Sequence, residues 1–201
     1  LSTINTIPIR SAYFQKRNRV LEKIRKKFEE NEQKLVVMYG TGGIGKTSIA
    51  HEFARSQELP VKIRIRADNI DTFKEDYEEA ANLLSIDVTN KPLSDLVGLI
   101  NQKLVDQYDK GIIIFDNVAS YKKPFNLVRS ESTGKALGKF FPKSDKFLIL
   151  VTTRNSTDWP NKSTLQILEL NPDTAMNLFK EISGLNQIND EKLLRFLDKR
   201  L

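Results

Sequence analysis

The sequence contains no cysteine, one histidine and one tryptophan in 201 residues. Without cysteine there is no disulfide framework and no thiolate metal site, and a single histidine leaves no zinc constellation. Long apolar runs are also missing. The longest, such as Ile112 to Phe115 and Phe147 to Val151, are about a quarter of the roughly 20 residues that a membrane span needs, and they fit buried strands. No transmembrane segment is predicted, and the first thirty residues lack the basic start, apolar stretch and small-residue cleavage site of a secretory signal. Because the chain opens on Leu1 rather than Met, the expectation is a piece of a longer, cytoplasmic protein. Hydrophobic residues make up 39%, enough for a core if they are patterned.

A net charge of +6 and a pI near 9.4 invite a nucleic-acid reading, because phosphate backbones attract clustered Lys and Arg. The densest basic stretch, Lys16 to Lys34, argues against it. Val20, Leu21, Ile24 and Phe28 recur there at helical spacing, with Glu22, Glu29, Glu30 and Glu32 among the positive charges. That is an amphipathic helix with a solvated face.

Along the chain the apolar period switches repeatedly between strand-like and helix-like, the alternation of a parallel sheet covered by helices. Strands are predicted at Leu35 to Tyr39, Val61 to Ile65, Gly111 to Phe115, Lys146 to Val151 and Leu165 to Leu168. Lys46 to Ser56, Asp71 to Leu84 and Ser94 to Tyr108 read as helices, with Asp71 and Ser94 as N-caps. Residues 119–143 carry Pro124, Gly134, Gly138 and Pro142 and read as a loop plus a short helix. From Pro172 onward the pattern is helical, through Ala175, Leu178, Phe179 and Ile182, then through Leu193, Leu194 and Leu197. Two helices cannot bury both stripes alone, so the start of a truncated helical domain is expected. The predicted organisation is an N-terminal segment over residues 1–34, a nucleotide-binding α/β domain over 35–169, and this helical start over 170–201.

The chemistry concentrates in three places. Gly40-Thr41-Gly42-Gly43-Ile44-Gly45-Lys46-Thr47, followed by Ser48, satisfies G-x-x-x-x-G-K-[ST] between a predicted strand and a predicted helix. Glycines let the backbone curl so that successive N–H groups and the helix N-terminus face an anion; Lys46 is expected to bridge the outer phosphates and Thr47 to hold Mg²⁺. Asp116 ends the apolar strand Gly111 to Phe115 and is the predicted second Mg²⁺ ligand. Asn117 follows it, where a hydrolytic enzyme often places a second acid; an amide is a poor base, so slow hydrolysis is expected. Lastly, Phe147 to Thr153 leads into Arg154, whose planar fork of donors suits a sensor of the terminal phosphate.

Together these motifs resemble the NB-ARC family of signal-transduction ATPases with numerous domains. The P-loop is similar to the family's G-x-G-G-I-G-K-T form, Phe147 to Arg154 to its strand ending in T-T-R, and Leu165 to Phe179 to the segment entering its small helical domain. Phe14-Gln15-Lys16-Arg17 stands where the family has an apolar-apolar-Gly-Arg signature, with Lys16 in place of Gly, which implies that Phe14, Gln15 and Arg17 lie near the adenine. The Asp116-Asn117 pair is similar to bacterial members. The resemblance implies a P-loop NTPase fold and a switch between ADP-bound resting and ATP-bound assembling forms. It also implies further domains in the full chain and a nucleotide-dependent oligomer.

Two residues receive blander readings. His51 is expected on the solvent face of its helix, opposite Ile49 and Phe53, and Trp159 is expected to pack. The sequence-level expectation is therefore an ATP/ADP-binding switch module that is at most a slow ATPase. The alternatives are a P-loop phosphotransferase, with residues 119–143 as its lid, and a nucleic-acid-stimulated ATPase.

Overall fold

The structure, a computed structural model, describes residues 2–32, 34–124, 136–159 and 163–183. It divides into two compact units, one of residues 1–10 and 17–168, the other of 11–16 and 169–201. In the first, six strands form one parallel sheet: β1 (Ile4–Asn5), β2 (Leu35–Tyr39), β3 (Val61–Arg66), β4 (Gly111–Val118), β5 (Phe147–Thr153) and β6 (Thr164–Gln166). Their order across the sheet is β1-β3-β4-β5-β2-β6. The helices of this unit are α1 (Asn18–Glu30), α2 (Lys46–Arg55), α3 (Ile70–Leu83) and α4 (Leu93–Gln107), with a 3-10 turn at Leu137–Phe140.

Strand side chains alternate between two faces, so the sheet separates two cores. Val37, Ile63, Ile65, Ile113, Phe115, Ile149 and Val151 pack with Phe73 and Tyr77 of α3 and Leu96 and Ile100 of α4. On the other face, Val36, Met38, Ile112, Ile114 and Leu150 pack with Leu21, Ile24 and Phe28 of α1 and Ile49 and Phe53 of α2. The central strands β2, β4 and β5 are apolar on both faces, which is why they read as continuous hydrophobic runs. In β3 the second face is Lys62, Arg64 and Arg66, half-buried and polar.

Every predicted strand and helix of this unit is present, with shifted ends. β4 runs beyond Phe115 through Asp116 and Asn117 to Val118, with a register shift against β5 between Phe115 and Val118. A bulge inserts a residue and redirects the strand, and period-two reasoning cannot see it. β6 begins earlier than predicted and ends at Gln166, while β1 is too short for any period to show. Both predicted N-caps are corrected. Asn69, not Asp71, caps α3, its Oδ1 accepting the Thr72 N–H at 2.9 Å. Asp71 lies in the first turn, where its charge favours the helix dipole. Likewise α4 starts at Leu93 behind Pro92, and the Ser94 hydroxyl donates to Asp95 instead of capping.

In the second unit, α5 (Pro172–Ser183) has no buried residue and leaves Ile182 exposed. The predicted helix through Leu193, Leu194 and Leu197 lies outside the described residues, as does the middle of the 119–143 segment, residues 125–135.

Phe73 anchors the α3 side of the sheet: fully buried, it meets Tyr77, Phe115 and Phe140 at ring-centroid distances of 5.0, 6.3 and 4.9 Å. Phe73→Ala should lower unfolding stability in urea by about 3–5 kcal/mol. Leu83→Ala, half exposed on the same helix, should cost less than about 1 kcal/mol.

Candidate functional site

The P-loop leaves the C-terminal end of β2 and closes on α2. Two glycines are required there by geometry. A Cβ at Gly40 would stand 2.7 Å from the carbonyl oxygen of Ile167, so only glycine lets the segment after β6 pass this close. Gly45, at φ 93°, holds the left-handed conformation from which α2 starts. A Cβ at Gly43 or Gly45 would meet nothing within 4 Å, so the loop faces open space. Ile44 packs partly into the α1/α2 core, Thr41 is exposed, and Ser48 is exposed in the first turn of α2. The Lys46 ammonium folds back over the loop, donating to the carbonyls of Gly40 at 2.8 Å and Thr41 at 2.7 Å. Partial burial, then the nearby Arg154 charge, lowers its pKa against an opposing pull from Asp116.

Asp116 is the centre of the arrangement. Buried at 3% exposure, its Oδ1 accepts from the Thr47 hydroxyl at 2.8 Å and the Thr152 hydroxyl at 2.6 Å, and its Oδ2 accepts from an Arg64 Nη at 2.8 Å. Burial is the strongest influence on its pKa and pushes it upward. The donors Thr152, Thr47 and Arg64 together outweigh burial and hold the carboxyl below its ordinary value.

The bulge sets the neighbouring groups. Asn117, at φ 60°, occupies the left-handed region that asparagine tolerates better than most residues. Its backbone N–H donates to Thr152 Oγ1 at 2.9 Å and its side-chain amide donates to Asp68 Oδ1 at 2.6 Å. A carboxylate at 117 would face Asp68 without a proton to share. Thr153, also buried, donates to the Val118 carbonyl at 2.6 Å. The two hydroxyls thus fasten β5 to β4, and the chain turns out at Arg154. β5 lies between β4 and β2 and pairs Thr153 with Tyr39, which brings Arg154 beside the P-loop: a Cβ at Gly42 would lie 3.4 Å from the guanidinium carbon. Arg154 also lines a cavity of about 410 Å³ with Asn117, Val118, Ala119 and Asn155.

The structure therefore brings together Gly40 to Thr47, Asp116 and Arg154. Arg17 belongs to the same unit and donates to the Leu168 carbonyl at 2.7 Å, with its pKa lowered by burial. Phe14 and Gln15 belong to the other unit, where the Phe14 N–H donates to Ser11 and the Gln15 amide donates to Glu181 at 2.9 Å.

Two roles escaped sequence reasoning, those of Arg64 and of the Thr152 hydroxyl on Asp116, while Asp68, which follows the second predicted strand and could reach this edge, holds the Asn117 amide. For Arg64 the signal was the alternation Val61-Lys62-Ile63-Arg64-Ile65-Arg66, which puts an arginine on a strand face beside a carboxylate-bearing strand. The His51 expectation is corrected. It is only 8% exposed, one turn after Thr47 on α2, and its Nε2 is buried without a partner among the described residues. Trp159 packs as expected, edge-on to Tyr121 at 5.9 Å, with its indole N–H donating to the Asn155 carbonyl.

Thr47 and Asp116 supply hard oxygen donors of the kind Mg²⁺ takes. Among the described residues no cluster of three or more His, Cys, Asp or Glu forms a self-sufficient metal cage. The protein groups thus offer part of a coordination shell, of the sort that phosphates and water complete.

A parallel sheet with a G-x-x-x-x-G-K-T loop between strand and helix, and a strand-end carboxylate on the loop's threonine, defines a P-loop NTPase-type nucleotide-binding module. The NB-ARC domain profile matches residues 17–189, and the chain belongs to the NB-ARC family. Among solved structures, it is similar to a signal transduction ATPase with numerous domains and a tetratricopeptide repeat sensor from Pyrococcus horikoshii. That match has 20% identity and a TM-score of 0.56, covering 96% of this chain and 28% of that one. Weaker likenesses are to C. elegans PCH-2 (13% identity, TM-score 0.47, 87% of this chain and 50% of that) and to Drosophila ORC bound to AT-rich DNA and Cdc6 (12%, 0.44, 90% and 68%). No curated protein matches the sequence. This chain thus spans less than a third of the length of the Pyrococcus horikoshii protein. No helix among the described residues is long and apolar enough to cross a membrane.

His51 gives a pH-dependent prediction. Burial, then Arg64, lowers its pKa to about 4 from an ordinary 6.5, against the pull of Asp116, with Arg55 adding a smaller lowering effect. The unfolded chain takes up this proton as pH falls from about 6.5 to about 4 while the folded protein does not, so stability declines across that window. His51→Gln should make the decline of the urea midpoint between pH 6.5 and 4 shallower than in the wild type.

Proposed function

We propose that this domain is an ATP/ADP-dependent conformational switch within a longer, cytoplasmic signalling protein, with slow hydrolysis. The observation that carries the reading is the placement of Arg154 against Gly42 of the P-loop, at the exit of the strand whose Thr152 also holds Asp116. Gly40 to Ser48 would cradle the phosphates through backbone N–H groups, and Lys46 would leave its loop carbonyls for the outer phosphate oxygens. Thr47 and Asp116 would hold a Mg²⁺ ion, which when bound screens the charge of those oxygens. Arg154 would then meet an added γ-phosphate with charge-assisted hydrogen bonds that a diphosphate does not offer. A residue that contacts one ligand and not the other supplies the differential affinity a switch needs.

Slow turnover rests on Asn117. Its amide is bound to Asp68, and it offers no strong base for an attacking water. Loss of the terminal phosphate, by hydrolysis or exchange, would release Arg154 and bias the neighbouring unit and the further domains of the full protein toward a resting arrangement. Nucleotide-dependent assembly belongs to the same proposal.

Lys46→Ala should abolish binding of both nucleotides in calorimetry. Arg154→Ala should spare ADP and weaken ATP by about 1.5–3 kcal/mol, roughly 10- to 150-fold, the range for one hydrogen-bonded charge. Equal losses for the two nucleotides would overturn the sensor assignment.

A further inference from the structure

Arg64 has no part in the functional reading above, yet it is bound directly to the carboxylate at its centre. It comes from β3, whose register pairs Arg64 with Ile114 and Arg66 with Asp116. Its guanidinium lies 2.8 Å from Asp116 Oδ2, with 23% of the Arg64 side chain and 5% of the Asp116 side chain exposed. Arg64 Nε is buried and has no partner among the described residues, so the side chain is held in this pocket by the ion pair rather than by a saturated set of hydrogen bonds. Lys46 interacts electrostatically with both Arg154 and Asp116, and the Arg154 guanidinium stands beside Gly42 of the P-loop. One guanidinium is thus bound to the buried carboxylate, and two further cations stand at the P-loop, before any ligand is added.

That charge balance differs from what a Mg²⁺-dependent phosphate site needs. In such a site an uncompensated carboxylate recruits the metal, and the metal in turn overcomes repulsion between carboxylate and phosphates. Here the Asp116 charge is already matched by a fixed guanidinium, which cannot lose its proton and sits in low-dielectric surroundings. The remaining cations, Lys46 and Arg154, face the loop as net positive charge. A polyanion is welcomed by this arrangement without help, while a divalent cation approaching Asp116 meets an arginine already on one of its oxygens.

We propose that Arg64 is a built-in counter-ion that takes over the charge-neutralising role of Mg²⁺ at this site, so that nucleoside diphosphate binds with little dependence on the metal. The inference rests on the nucleotide-binding reading of the P-loop and names a residue that acts through Asp116 as a positioning group. Replacing Arg64 with an apolar residue of similar length leaves Asp116 uncompensated, and nucleotide affinity then comes to depend on Mg²⁺. Lysine at the same position keeps the charge and preserves metal independence.

The test is calorimetric titration of ADP into the wild type, Arg64→Met and Arg64→Lys, each in excess Mg²⁺ and again in excess EDTA, with circular dichroism to establish folding. The wild type and Arg64→Lys should lose less than about 3-fold in affinity when the metal is removed, and Arg64→Met about 10-fold or more, which is about 1.4 kcal/mol. A wild type that itself loses 10-fold in EDTA, or an Arg64→Met protein with wild-type metal dependence, overturns the proposal while leaving the nucleotide site standing. Absence of ADP binding by the wild type under both conditions overturns the nucleotide reading and this proposal with it. Should Arg64→Met fail to fold, the wild-type ratio decides alone.

Discussion

The Asp116 carboxylate is the point on which the P-loop edge of the sheet depends. Its two oxygens accept from α2 through Thr47, from β5 through Thr152 and from β3 through Arg64. A buried carboxylate without such donors would take up a proton or destabilise the fold. With three of them it stays charged and ties the helix that begins at the P-loop to three adjacent strands. The same group is therefore both the fastening of the local structure and the acid that the proposed switch would offer to Mg²⁺ on the oxygen Arg64 does not hold. Loss of any donor changes the chemistry and the packing together, because bonded groups in one network do not contribute independently.

What surrounds that carboxylate explains the character of the site. Asn117 is turned by the bulge into a left-handed conformation, and its amide is engaged by Asp68, so the place where a hydrolytic enzyme would keep a base holds a donor already in use. Arg154 emerges beside Gly42, and Lys46 rests on the loop carbonyls. The cradle gathers cations, in keeping with the proposed role of holding phosphates. Part of the overall charge of +6 lies on the solvated face of one amphipathic helix. In its densest stretch the helix Asn18–Glu30 buries Leu21, Ile24 and Phe28, and the charged residues occupy the remaining face.

Much of this was legible in the sequence, for physical reasons that also mark where legibility stops. β2, β4 and β5 are buried on both faces, so their apolar runs stand out, and the P-loop spacing is imposed by phosphate geometry and survives in any context. Asp116 was visible because a charge at the end of an apolar strand has few other uses. The roles of Arg64 and Thr152 were not, because they depend on which strands lie side by side, and the order β3-β4-β5-β2 is a tertiary fact. His51 was misplaced because the helix α2 buries more than one stripe: Glu52, its neighbour, is 1% exposed and paired with Arg10 and Arg55. Both N-caps were read two residues late; at α3, Asn69 competes with Asp71 for the same role and only the backbone conformation at the boundary decides between them.

The proposed switch depends on a nucleotide site formed by the P-loop and Asp116. Equilibrium dialysis of the wild-type protein against radiolabelled ADP, with unlabelled ATP as competitor, measures that directly. Saturable binding at one site per chain, displaced by ATP, is the predicted result. No saturable binding up to about 1 mM ADP, an affinity weaker than roughly 4 kcal/mol, would contradict it.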